Sequence, residues 1–453
     1  MISKHIFREY DIRGIVNKDL DDRVVELIGK GFGTYLKEHS AQNISVGGDV
    51  RLSTERFRVA LIKGLRQVGI NVIDLGPVPT PVQYFSMFHL SLDGGVMITG
   101  SHNPPDYNGF KLSLQQAPVY GEEIQKIREI IDREHFSSGN GTYQRIALSD
   151  DYINYIKNNI NIARPMKVVL DSGNGAASLV AHRLFKEMGV TTIDLFDNPD
   201  GNFPNHHPDP TVVEYIQELI KTVKKTGADL GIGYDGDGDR LGVVDERGQI
   251  IWGDRLLIIF GREILKKNPG AKILFEVKCS QALPEMIKKF GGKPVMWKTG
   301  HSLLKKKMKE TGAPLAGEMS GHLFFADRYF GYDDAIYASA RLVELLSHSD
   351  KKISQLLADV PDYYATPEIR AETRDDEEKF KIAEQAKNFF STHYDVIDID
   401  GVRIQFGDGW GLVRASNTQP VLVLRFEAQT PERLEELKNL VINKLKEFGN
   451  LKI

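Results

Sequence analysis

The stretch ISVGGDVRLSTERFRVALIKGLRQVGINVIDL, residues 44–75, contains the pattern that decides the fold. A short apolar run is followed by an amphipathic segment over residues 55–68, a glycine at position 69 and a second apolar run. The same order recurs twice, with amphipathic segments over residues 176–188 and 281–290. A strand, a helix and another strand in succession predict right-handed crossovers, and we therefore expect three similar α/β domains with mixed, mainly parallel sheets.

The last part of the chain has a different pattern. Closely spaced strand-like runs cover residues 394–400, 402–406, 410–415 and 421–428. A helical pattern follows from about Pro431, and this order predicts a smaller C-terminal α+β domain. Residues 361–367 predict a linker, and the acidic run from Asp375 predicts the start of a solvated helix. The expected domains are residues 1–148, 149–250, 251–362 and 363–453.

Length, composition and charge describe an ordinary globular chain of several domains. Its 453 residues are 41% hydrophobic and 26% charged, with a formal net charge of -4, so the charge balance favours neither nucleic acid nor a membrane surface as a partner. No apolar run reaches the length of a membrane span and the N-terminus lacks an apolar signal core, so we expect a cytoplasmic protein. The single cysteine, Cys279, cannot form an internal disulfide and is expected to be a partly buried small residue rather than a redox site.

A candidate nucleophile stands in the stretch Thr99-Gly-Ser-His-Asn-Pro-Pro-Asp-Tyr-Asn-Gly-Phe-Lys111. The apolar run of residues 94–98 predicts a strand, and the paired prolines together with Asn108-Gly109 predict a rigid loop over the whole stretch. Ser101 would therefore be presented at the end of a strand. The chain has neither Gly-x-Ser-x-Gly nor an obvious triad order, which disfavours hydrolase chemistry.

Three aspartates occupy alternate positions in Leu230-Gly-Ile-Gly-Tyr-Asp-Gly-Asp-Gly-Asp-Arg240. Alternate residues of an extended loop point the same way, so Asp235, Asp237 and Asp239 would converge and repel one another unless a cation lies among them. Ligands that are all oxygen favour Mg²⁺ over zinc or copper. The segment therefore favours a catalytic magnesium site.

Other interpretations of the aspartate segment stay open. It could be a solvated turn or could hold a structural ion. An EF-hand calcium loop would place aspartates at the first, third and fifth positions and Glu246 at the twelfth, as here, but Arg240 occupies the position that needs glycine. The flanking segments also predict strands, whereas an EF-hand needs paired helices.

Taken together, these motifs resemble those of the α-D-phosphohexomutase superfamily, and most closely its bacterial phosphomannomutase/phosphoglucomutase branch. Residues 99–111 match the family's phosphoserine loop and residues 235–240 its metal loop. Gly317-Glu-Met-Ser-Gly-His322 matches its sugar loop, Arg414-Ala-Ser-Asn-Thr418 its phosphate-binding loop, and Phe7-Arg-Glu-Tyr-Asp-Ile-Arg-Gly14 its opening segment. The motifs occur in the family's order and cover nearly the whole chain. The resemblance implies four domains around a central cleft.

The resemblance implies an isomerase, an intramolecular phosphotransferase that interconverts hexose 1-phosphates and hexose 6-phosphates. Ser101 would carry the transferable phosphoryl group, and one Mg²⁺ per chain would be bound by Ser101, Asp235, Asp237 and Asp239. Transfer to the free hydroxyl of the substrate would give a hexose 1,6-bisphosphate, which turns around and returns its other phosphate to the serine. This bisphosphate would be both intermediate and activator.

The resemblance also implies which residues bind the sugar phosphate. The phosphate-binding residues would be Arg414, Ala415, Ser416, Asn417 and Thr418. The sugar-binding residues would be Glu318, Met319, Ser320, Gly321 and His322. Met319 is typical of the branch that accepts both glucose and mannose. The alternative is a phosphoglucosamine mutase, whose branch typically has another residue at this position. Arg425 either adds charge to the phosphate site or is a surface strand arginine, and the other residues expected to line the site are Tyr10, Lys278 and His301.

Proton transfer needs a group near the attacking hydroxyl, and the candidates are Arg13, Lys111 and His322. Lys111 can act as a base only if the site lowers its pKa, and otherwise it would stabilise phosphate. His102 would pack or hydrogen-bond beside Ser101, and Arg240 is a further catalytic candidate.

Two other classes of function share part of these motifs. A magnesium-dependent sugar phosphatase would use the aspartates, but it would not need a sugar loop and a separate phosphate-binding loop. A non-catalytic sugar-phosphate sensor would not need Ser101. In each case the expected partners are small sugar phosphates, with no nucleic acid and no membrane. A monomer is expected, and an oligomer stays open.

Overall fold

The structure is a computed structural model that describes residues 2–416 and 420–452. The chain divides into two compact units. The first unit consists of Met1–Leu256 and Ser320–Ala358, and the second of Leu257–Met319 and Asp359–Ile453. Two of the predicted site residues, Asn417 and Thr418, lie outside the described residues. Within the described ranges, no helix is both long and apolar enough to cross a membrane.

The N-terminal part of the chain forms a mixed sheet with helices packed on it. Its strands are β1 (Ile12–Ile15), β2 (Asn43–Gly48), β3 (Asn71–Pro77), β4 (Gly94–Ile98), β5 (Tyr107–Leu114), β6 (Ala117–Pro118) and β7 (Tyr143–Arg145). Its helices are α1 (Asp22–Glu38), α2 (Thr54–Gln67), α3 (Thr80–His89) and α4 (Glu122–Asp132). The sheet order is β1-β5-β4-β2-β3-β7, with β6 paired to β5. The neighbours β4, β2, β3 and β7 are parallel, whereas β5 runs antiparallel to β1 and β4.

The predicted unit over residues 44–75 is confirmed as β2, α2 and β3. Every residue of β4 is buried, as expected for a central strand covered on both faces. Helices α1 and α2 approach closely at two glycines: a Cβ at Gly29 would lie 2.4 Å from the Leu61 carbonyl oxygen, and one at Gly64 would lie 2.1 Å from that of Glu26. This packing closes the core on one side of the sheet.

The predicted rigid loop over residues 99–111 is shorter in the structure, because β5 already begins at Tyr107. Asn108-Gly109 is not a turn but part of a strand that pairs on both sides. Gly109 is needed for close backbone approach, since a Cβ there would lie 2.4 Å from the Ile12 carbonyl oxygen. Lys111 is therefore presented from a strand and not from the loop.

The second part of the chain forms another mixed sheet. Its strands are β8 (Lys167–Asp171), β9 (Thr191–Leu195), β10 (Leu230–Tyr234), β11 (Leu241–Asp245) and β12 (Ile250–Ile251). Its helices are α5 (Ser149–Asn159), α6 (Ala181–Glu187) and α7 (Gln217–Thr226). The order is β12-β11-β10-β8-β9, with β10, β8 and β9 parallel and β10 antiparallel to β11. The turn between β10 and β11 holds the three aspartates.

The prediction of one helix over residues 176–188 is wrong. The structure has a 3₁₀ helix over Ala176–Leu179 and then α6, with Val180 between them at φ -138°. The first turn is held by another contact, because the Ala176 N–H donates to the Gly236 carbonyl at 2.9 Å. A regular helix cannot continue through a residue whose φ lies this far from the helical value of about -60°.

The third part of the chain again alternates strands and helices. In chain order its elements are α8 (Gly253–Lys267), β13 (Lys272–Glu276), α9 (Ala282–Lys289), β14 (Lys293–Trp297), α10 (His301–Thr311), β15 (Leu315–Gly317), β16 (Leu323–Phe325), α11 (Ala335–Ser347) and α12 (Ile353–Leu356). The predicted third repeat corresponds to β13, α9 and β14, and β13 pairs in parallel with both β14 and β15. Cys279, expected to be partly buried, is fully buried shortly after β13.

The C-terminal part is the predicted α+β segment. Its elements are β17 (Tyr364–Ala365), β18 (Ile369–Glu372), α13 (Asp376–His393), β19 (Asp395–Ile397), β20 (Val402–Gln405), β21 (Gly409–Ala415), β22 (Val421–Ala428) and α14 (Pro431–Phe448). The order β22-β21-β20-β19 is antiparallel, and α13 and α14 bury their apolar side chains with those of the sheet. Asp375 caps α13 by accepting from the Glu378 N–H at 2.9 Å, so the acidic run does begin a helix.

The predicted linker over residues 361–367 contains a short strand. Tyr364 pairs with Ala428 and Ala365 with Glu427, so β17 adds to β22 at the edge of the C-terminal sheet. Prolines 361 and 367 lie outside β17, which fits the rule that proline cannot donate to a strand ladder.

Candidate active site

The predicted nucleophile Ser101 lies in the serine loop, residues 99–106, between β4 and β5. It is 3% exposed, and its φ of 49° is a left-handed conformation that non-glycine residues seldom adopt. The Ser101 hydroxyl donates to Asp235 Oδ2 at 3.0 Å and lies 3.1 Å from His102 Nδ1. The serine and the aspartates, predicted as separate motifs, therefore meet in the first unit.

The aspartate loop, residues 235–240, is built to hold carboxylates together. Asp235 Oδ1 accepts hydrogen bonds from the N–H groups of Gly238, Asp239 and Arg240 at 3.0–3.1 Å. The three aspartates are fully buried, and one oxygen of each lies within 4.8 Å of the others. Among the residues that the structure describes, Asp237 Oδ1 and Asp239 Oδ1 have no hydrogen-bond partner. Buried carboxylate oxygens that accept no hydrogen bond are suited to a hard divalent cation.

The pKa values in this loop show how unfavourable the three charges are together. Burial, followed by repulsion from Asp237 and Asp239, raises the pKa of Asp235 well above its usual range. Burial and the Asp237 charge likewise raise the pKa of Asp239. For Asp237 burial acts upward, but Lys111 outweighs it and holds the pKa below its usual range. A cation would relieve the crowding, so the loop fits the predicted Mg²⁺.

Lys111, on β5, contacts the aspartate loop. Its ammonium donates to Asp237 Oδ2 at 2.7 Å and also to Asp239. Burial acts to lower the pKa of Lys111, but the two carboxylates outweigh burial and raise it well above its usual range. The condition for a general base, a lowered pKa, is not met. The other role predicted for Lys111, a fixed positive charge that stabilises phosphate, remains.

His322 lies between Arg240 and two carboxylates. Arg240 Nε donates to His322 Nε2 at 3.0 Å, so the ring hydrogen is assigned to Nδ1, which lies 3.0 Å from Asp333 Oδ2 and 3.6 Å from Asp239 Oδ1. Gly321 brings this segment onto the aspartate loop: its φ is 92°, and a Cβ there would lie 2.4 Å from the Leu241 carbonyl oxygen. The predicted residues Arg240, Gly321 and His322 therefore share one site with the aspartates.

The other catalytic candidates also lie at the serine loop. Arg13, on β1, donates to Asn103 Oδ1 at 2.7 Å and pairs with Asp11. Burial, and then the positive charges of Arg240 and Arg13, lower the pKa of His102 well below its usual range. His102 is therefore a neutral ring beside Ser101. Tyr10 is half-buried in the bend before β1.

In the second unit the structure gathers part of the predicted sugar-binding set. Glu318 is buried after β15 and accepts from the Gly300 N–H at 2.9 Å, next to His301 at the start of α10. Lys278 is buried after β13, and its ammonium lies 3.2 Å from Glu368 Oε2. Arg425 donates to the Lys278 carbonyl and contacts the Met319 sulfur.

Arg425 is not a surface strand arginine, because it is only 7% exposed. Its guanidinium and that of Arg403, on β20, hold three successive carbonyls: Arg425 bonds Lys278, and Arg403 bonds Val277 and Cys279 at 2.8 and 3.0 Å. The two arginines fix the backbone that presents Lys278.

The phosphate-binding motif is described only in part. Arg414, near the end of β21, donates to Asp400 Oδ2 at 2.8 Å, and the Thr299 N–H donates to the same oxygen at 3.0 Å. Ala415 ends the strand, and Ser416 N–H donates to the Val421 carbonyl at 3.0 Å. Ser320, half-buried, belongs to the first unit, next to Gly321.

Comparison with known proteins identifies the family. Four domain descriptions match the chain in succession: "Phosphoglucomutase/phosphomannomutase, alpha/beta/alpha domain I" at residues 4–138, domain II at 150–248, domain III at 252–364, and the C-terminal domain at 355–444. The chain belongs to the phosphoglucomutase/phosphomannomutase family. The predicted superfamily, fold class and enzyme class, an isomerase that transfers a phosphoryl group within its substrate, are confirmed.

Relatives within this family are similar over almost their whole length. The chain is 48% identical to a phosphomannomutase/phosphoglucomutase of Pseudomonas aeruginosa, over 97% of this chain and 95% of the relative. It is 44% identical to a phosphoglucomutase of Neisseria meningitidis, over 97% and 96%. A crystal structure of a phosphoglucomutase/phosphomannomutase family protein from Burkholderia thailandensis superposes with a TM-score of 0.94 at 44% identity, covering 100% of both chains.

Several residues at this phosphohexomutase site were not found from the sequence. Thr80, at the start of α3, donates its hydroxyl to Asp237 Oδ2 at 2.5 Å. Asp333 faces His322, and Arg51, which follows β2, bonds the serine loop. Thr80 and Arg51 follow the carboxyl ends of parallel strands, as Ser101 does, and that position was the available signal. Asp333 gave no such signal because its importance depends on a contact distant in sequence.

Proposed function

We propose that this chain is a magnesium-dependent phosphomannomutase/phosphoglucomutase that interconverts the 1-phosphates and 6-phosphates of both sugars through a phosphoserine at Ser101 and a hexose 1,6-bisphosphate. The observation that carries the proposal is the buried contact of 3.0 Å between Ser101 Oγ and the aspartate loop. The names of the relatives at 44–48% identity support the substrate class.

Asp235, Asp237 and Asp239, together with an oxygen of phosphorylated Ser101, would hold the Mg²⁺. When bound, it would supply positive charge to the oxygens of the transferring phosphoryl group. Lys111 supports the same task, because its ammonium is held among the carboxylates and stays charged. The chain thus provides a fixed cationic environment for a group whose charge is spread over several oxygens.

In the first step the free hydroxyl of a hexose monophosphate attacks the phosphorus on Ser101, and the bond from phosphorus to Ser101 Oγ breaks. The product is a hexose 1,6-bisphosphate, and the serine oxygen regains a proton. The attacking hydroxyl loses the proton that the serine oxygen gains, and the neutral ring of His102, 3.1 Å from Ser101 Oγ, is placed to hydrogen-bond that oxygen. After the bisphosphate has turned around, Ser101 attacks its other phosphate, and the opposite monophosphate leaves.

A substrate that binds in two orientations needs contacts that tolerate both. We assign sugar hydroxyls to Glu318 and Ser320, and the non-transferring phosphate to the loop that begins at Arg414. Guanidinium groups and hydroxyl donors suit phosphate oxygens in either orientation. To distinguish the 2-hydroxyl of glucose from that of mannose, the site would need a hydrogen-bonding group. Met319 offers only a thioether, so the turnover of the two sugars should differ little.

The test is isomerisation of mannose 1-phosphate, glucose 1-phosphate and glucosamine 6-phosphate, with Mg²⁺ and a trace of glucose 1,6-bisphosphate. We expect comparable turnover of the two neutral sugars, lost in Ser101→Ala and kept in Ser113→Ala, which alters another buried serine of the same domain. A large preference for glucosamine 6-phosphate would instead indicate the specificity of a phosphoglucosamine mutase. Release of inorganic phosphate would favour a phosphatase, and binding without turnover a sensor.

A further inference from the structure

Four successive carbonyl oxygens of the serine loop each accept a hydrogen bond from a side chain outside the loop. Arg51 donates to the carbonyls of Ser101 at 2.8 Å, Asn103 at 2.5 Å and Pro104 at 2.5 Å. The intervening carbonyl, that of His102, accepts from His207 Nε2. Arg51 also donates to Tyr107 at 3.0 Å, where β5 begins. The backbone of the loop is therefore held from one end to the other.

Arg51 is itself fixed at the carboxyl end of β2. Its side chain is fully buried, and its Nε lies 3.2 Å from Asp49 Oδ2. The same carboxylate accepts from the Thr99 hydroxyl at 2.7 Å and from the Gly100 N–H at 3.3 Å. The ring of Phe203 lies 5.1 Å from the guanidinium carbon. Asp49 thus accepts from an N–H group of the loop, and Arg51 donates to its carbonyl groups.

The number of donors on Arg51 excludes a direct role in phosphate binding. A guanidinium has five N–H groups. Two on Nη1 and two on Nη2 are used by the four carbonyls, and the fifth, on Nε, faces Asp49. Within the described part of the chain the Nε group makes no hydrogen bond, but it is buried 3.2 Å from Asp49 Oδ2 and out of reach of a ligand, so the positive charge and the geometry of Arg51 act on the loop.

The backbone conformation of Ser101 shows what the contacts of Arg51 with the loop achieve. A serine at φ 49° is held in a strained region, which persists only where surrounding contacts enforce it. The loop also lies directly on the guanidinium, since a Cβ at Gly100 would come within 2.6 Å of it. Without these contacts the loop could relax and move the serine oxygen away from the line of phosphoryl transfer.

We propose that Arg51, together with His207, is a positioning residue for phosphoryl transfer, which holds the serine loop in the conformation that aims Ser101 at the transferring group. The proposal rests on the proposed function and adds residues that touch no reacting atom. It predicts an effect on the chemical steps and not on sugar binding, because the proposed sugar and phosphate contacts belong to other segments.

The first variant is Arg51→Lys, which keeps a positive charge opposite Asp49 but cannot reach four carbonyls with one ammonium. We expect kcat to fall about 10²-fold, the effect expected of a small misplacement of a reacting group, with KM nearly unchanged for both sugars. Charging of Ser101 by glucose 1,6-bisphosphate, followed by intact mass, should slow to a similar extent. Arg58→Lys is the matched control, because Arg58 is also buried but pairs with Asp74 and Glu55.

A second pair of variants covers the case in which Arg51→Lys does not fold. His207→Phe removes the donor to the His102 carbonyl, whereas His207→Gln retains an N–H donor. We expect the phenylalanine variant to lower kcat and the glutamine variant to restore part of it. Equal kcat in the two variants would contradict the proposal for His207.

Hydrogen exchange separates this proposal from the proposed function, because it reads the loop without turnover. Amides of residues 99–107 should exchange faster in Arg51→Lys, or in His207→Phe, than in the wild type and in Arg58→Lys. Unchanged exchange, or a kcat equal to that of Arg58→Lys, would overturn the proposal. A wild type that turns over neither sugar would overturn the proposed function, and the exchange comparison would still decide whether Arg51 holds the loop.

Discussion

Ser101 and Gly236 are in backbone contact: a Cβ at position 236 would lie 2.3 Å from the Ser101 carbonyl oxygen. The aspartate loop can come this close to the serine loop only because glycine separates Asp235 from Asp237. Gly236 therefore does more than permit a turn, since it sets the distance between the nucleophile and the carboxylates. The 3.0 Å contact between Ser101 and Asp235 depends on that distance.

Gly236→Ala should separate the two loops. The added methyl group must displace the Ser101 carbonyl, and we expect kcat to fall about 10²-fold with little change in KM, because a displacement of this kind misaligns phosphoryl transfer. Steady-state kinetics with glucose 1-phosphate measure the effect. Gly261→Ala is the control, because its Cβ would meet only the flexible end of the Ile287 side chain. Wild-type kcat in Gly236→Ala would contradict this interpretation of the contact.

Thr80→Val should weaken Mg²⁺ binding without changing the size of the side chain. The Thr80 hydroxyl orients Asp237 at 2.5 Å, and loss of a group that orients a metal ligand typically costs about 10- to 100-fold in affinity. Calorimetric titration with Mg²⁺ measures the change directly. Thr34→Val removes a buried hydroxyl that accepts from the Ser137 N–H, away from the site, and should leave the affinity unchanged. Equal affinity in both variants would exclude the role of Thr80.

The sequence predicted the main elements of this site because each stands next to a regular strand. Ser101 and the three aspartates follow buried apolar runs, and the order strand, helix, strand was visible in three places. The break in the helix at Val180 and the strand over residues 107–111 could not be predicted, because both depend on contacts with distant backbone. Arg51 was missed for the same reason: its partners are carbonyls about fifty residues away.

Arg425→Lys should weaken substrate binding more than it slows chemistry. Arg425 Nη1 donates to the carbonyl of Lys278 and contacts the Met319 sulfur, and a lysine, which ends in a single ammonium, cannot reproduce the position of this planar group. We expect KM for both hexose 1-phosphates to rise several-fold with a smaller change in kcat. Arg433→Lys alters an arginine on α14 that pairs with Asp408 and should change neither constant. A lowered kcat at constant KM would contradict the assignment of Lys278 to substrate binding.

Asp334→Asn should change how stability depends on pH. Burial raises the pKa of Asp334 to about 7, although hydrogen bonds from the Tyr337 N–H and from the Tyr329 and Tyr152 hydroxyls act to lower it. Between about pH 4 and pH 7 the folded protein holds a proton here that the unfolded chain releases, so this group makes folding less favourable as pH rises. The free energy of unfolding falls by up to roughly 4 kcal/mol across this range because of this group.

Asparagine can still cap α11 and does not titrate, so the free energy of unfolding of the variant, relative to the wild type, should rise from pH 4 to pH 8. Denaturant melts across this range measure the difference. Asp21→Asn changes an exposed cap, that of α1, and serves as the control. A difference that is constant with pH would show that Asp334 does not titrate in this range.

The most direct test of the central claim is the fate of the phosphate on Ser101. Purified protein is charged with glucose 1,6-bisphosphate, its intact mass is measured, and mannose 1-phosphate is then added. We expect one added phosphate that is absent in Ser101→Ala and that moves to mannose 1-phosphate to give a bisphosphate, with no inorganic phosphate released. Equal phosphorylation of Ser101→Ala, or loss of the phosphate to water, would contradict it.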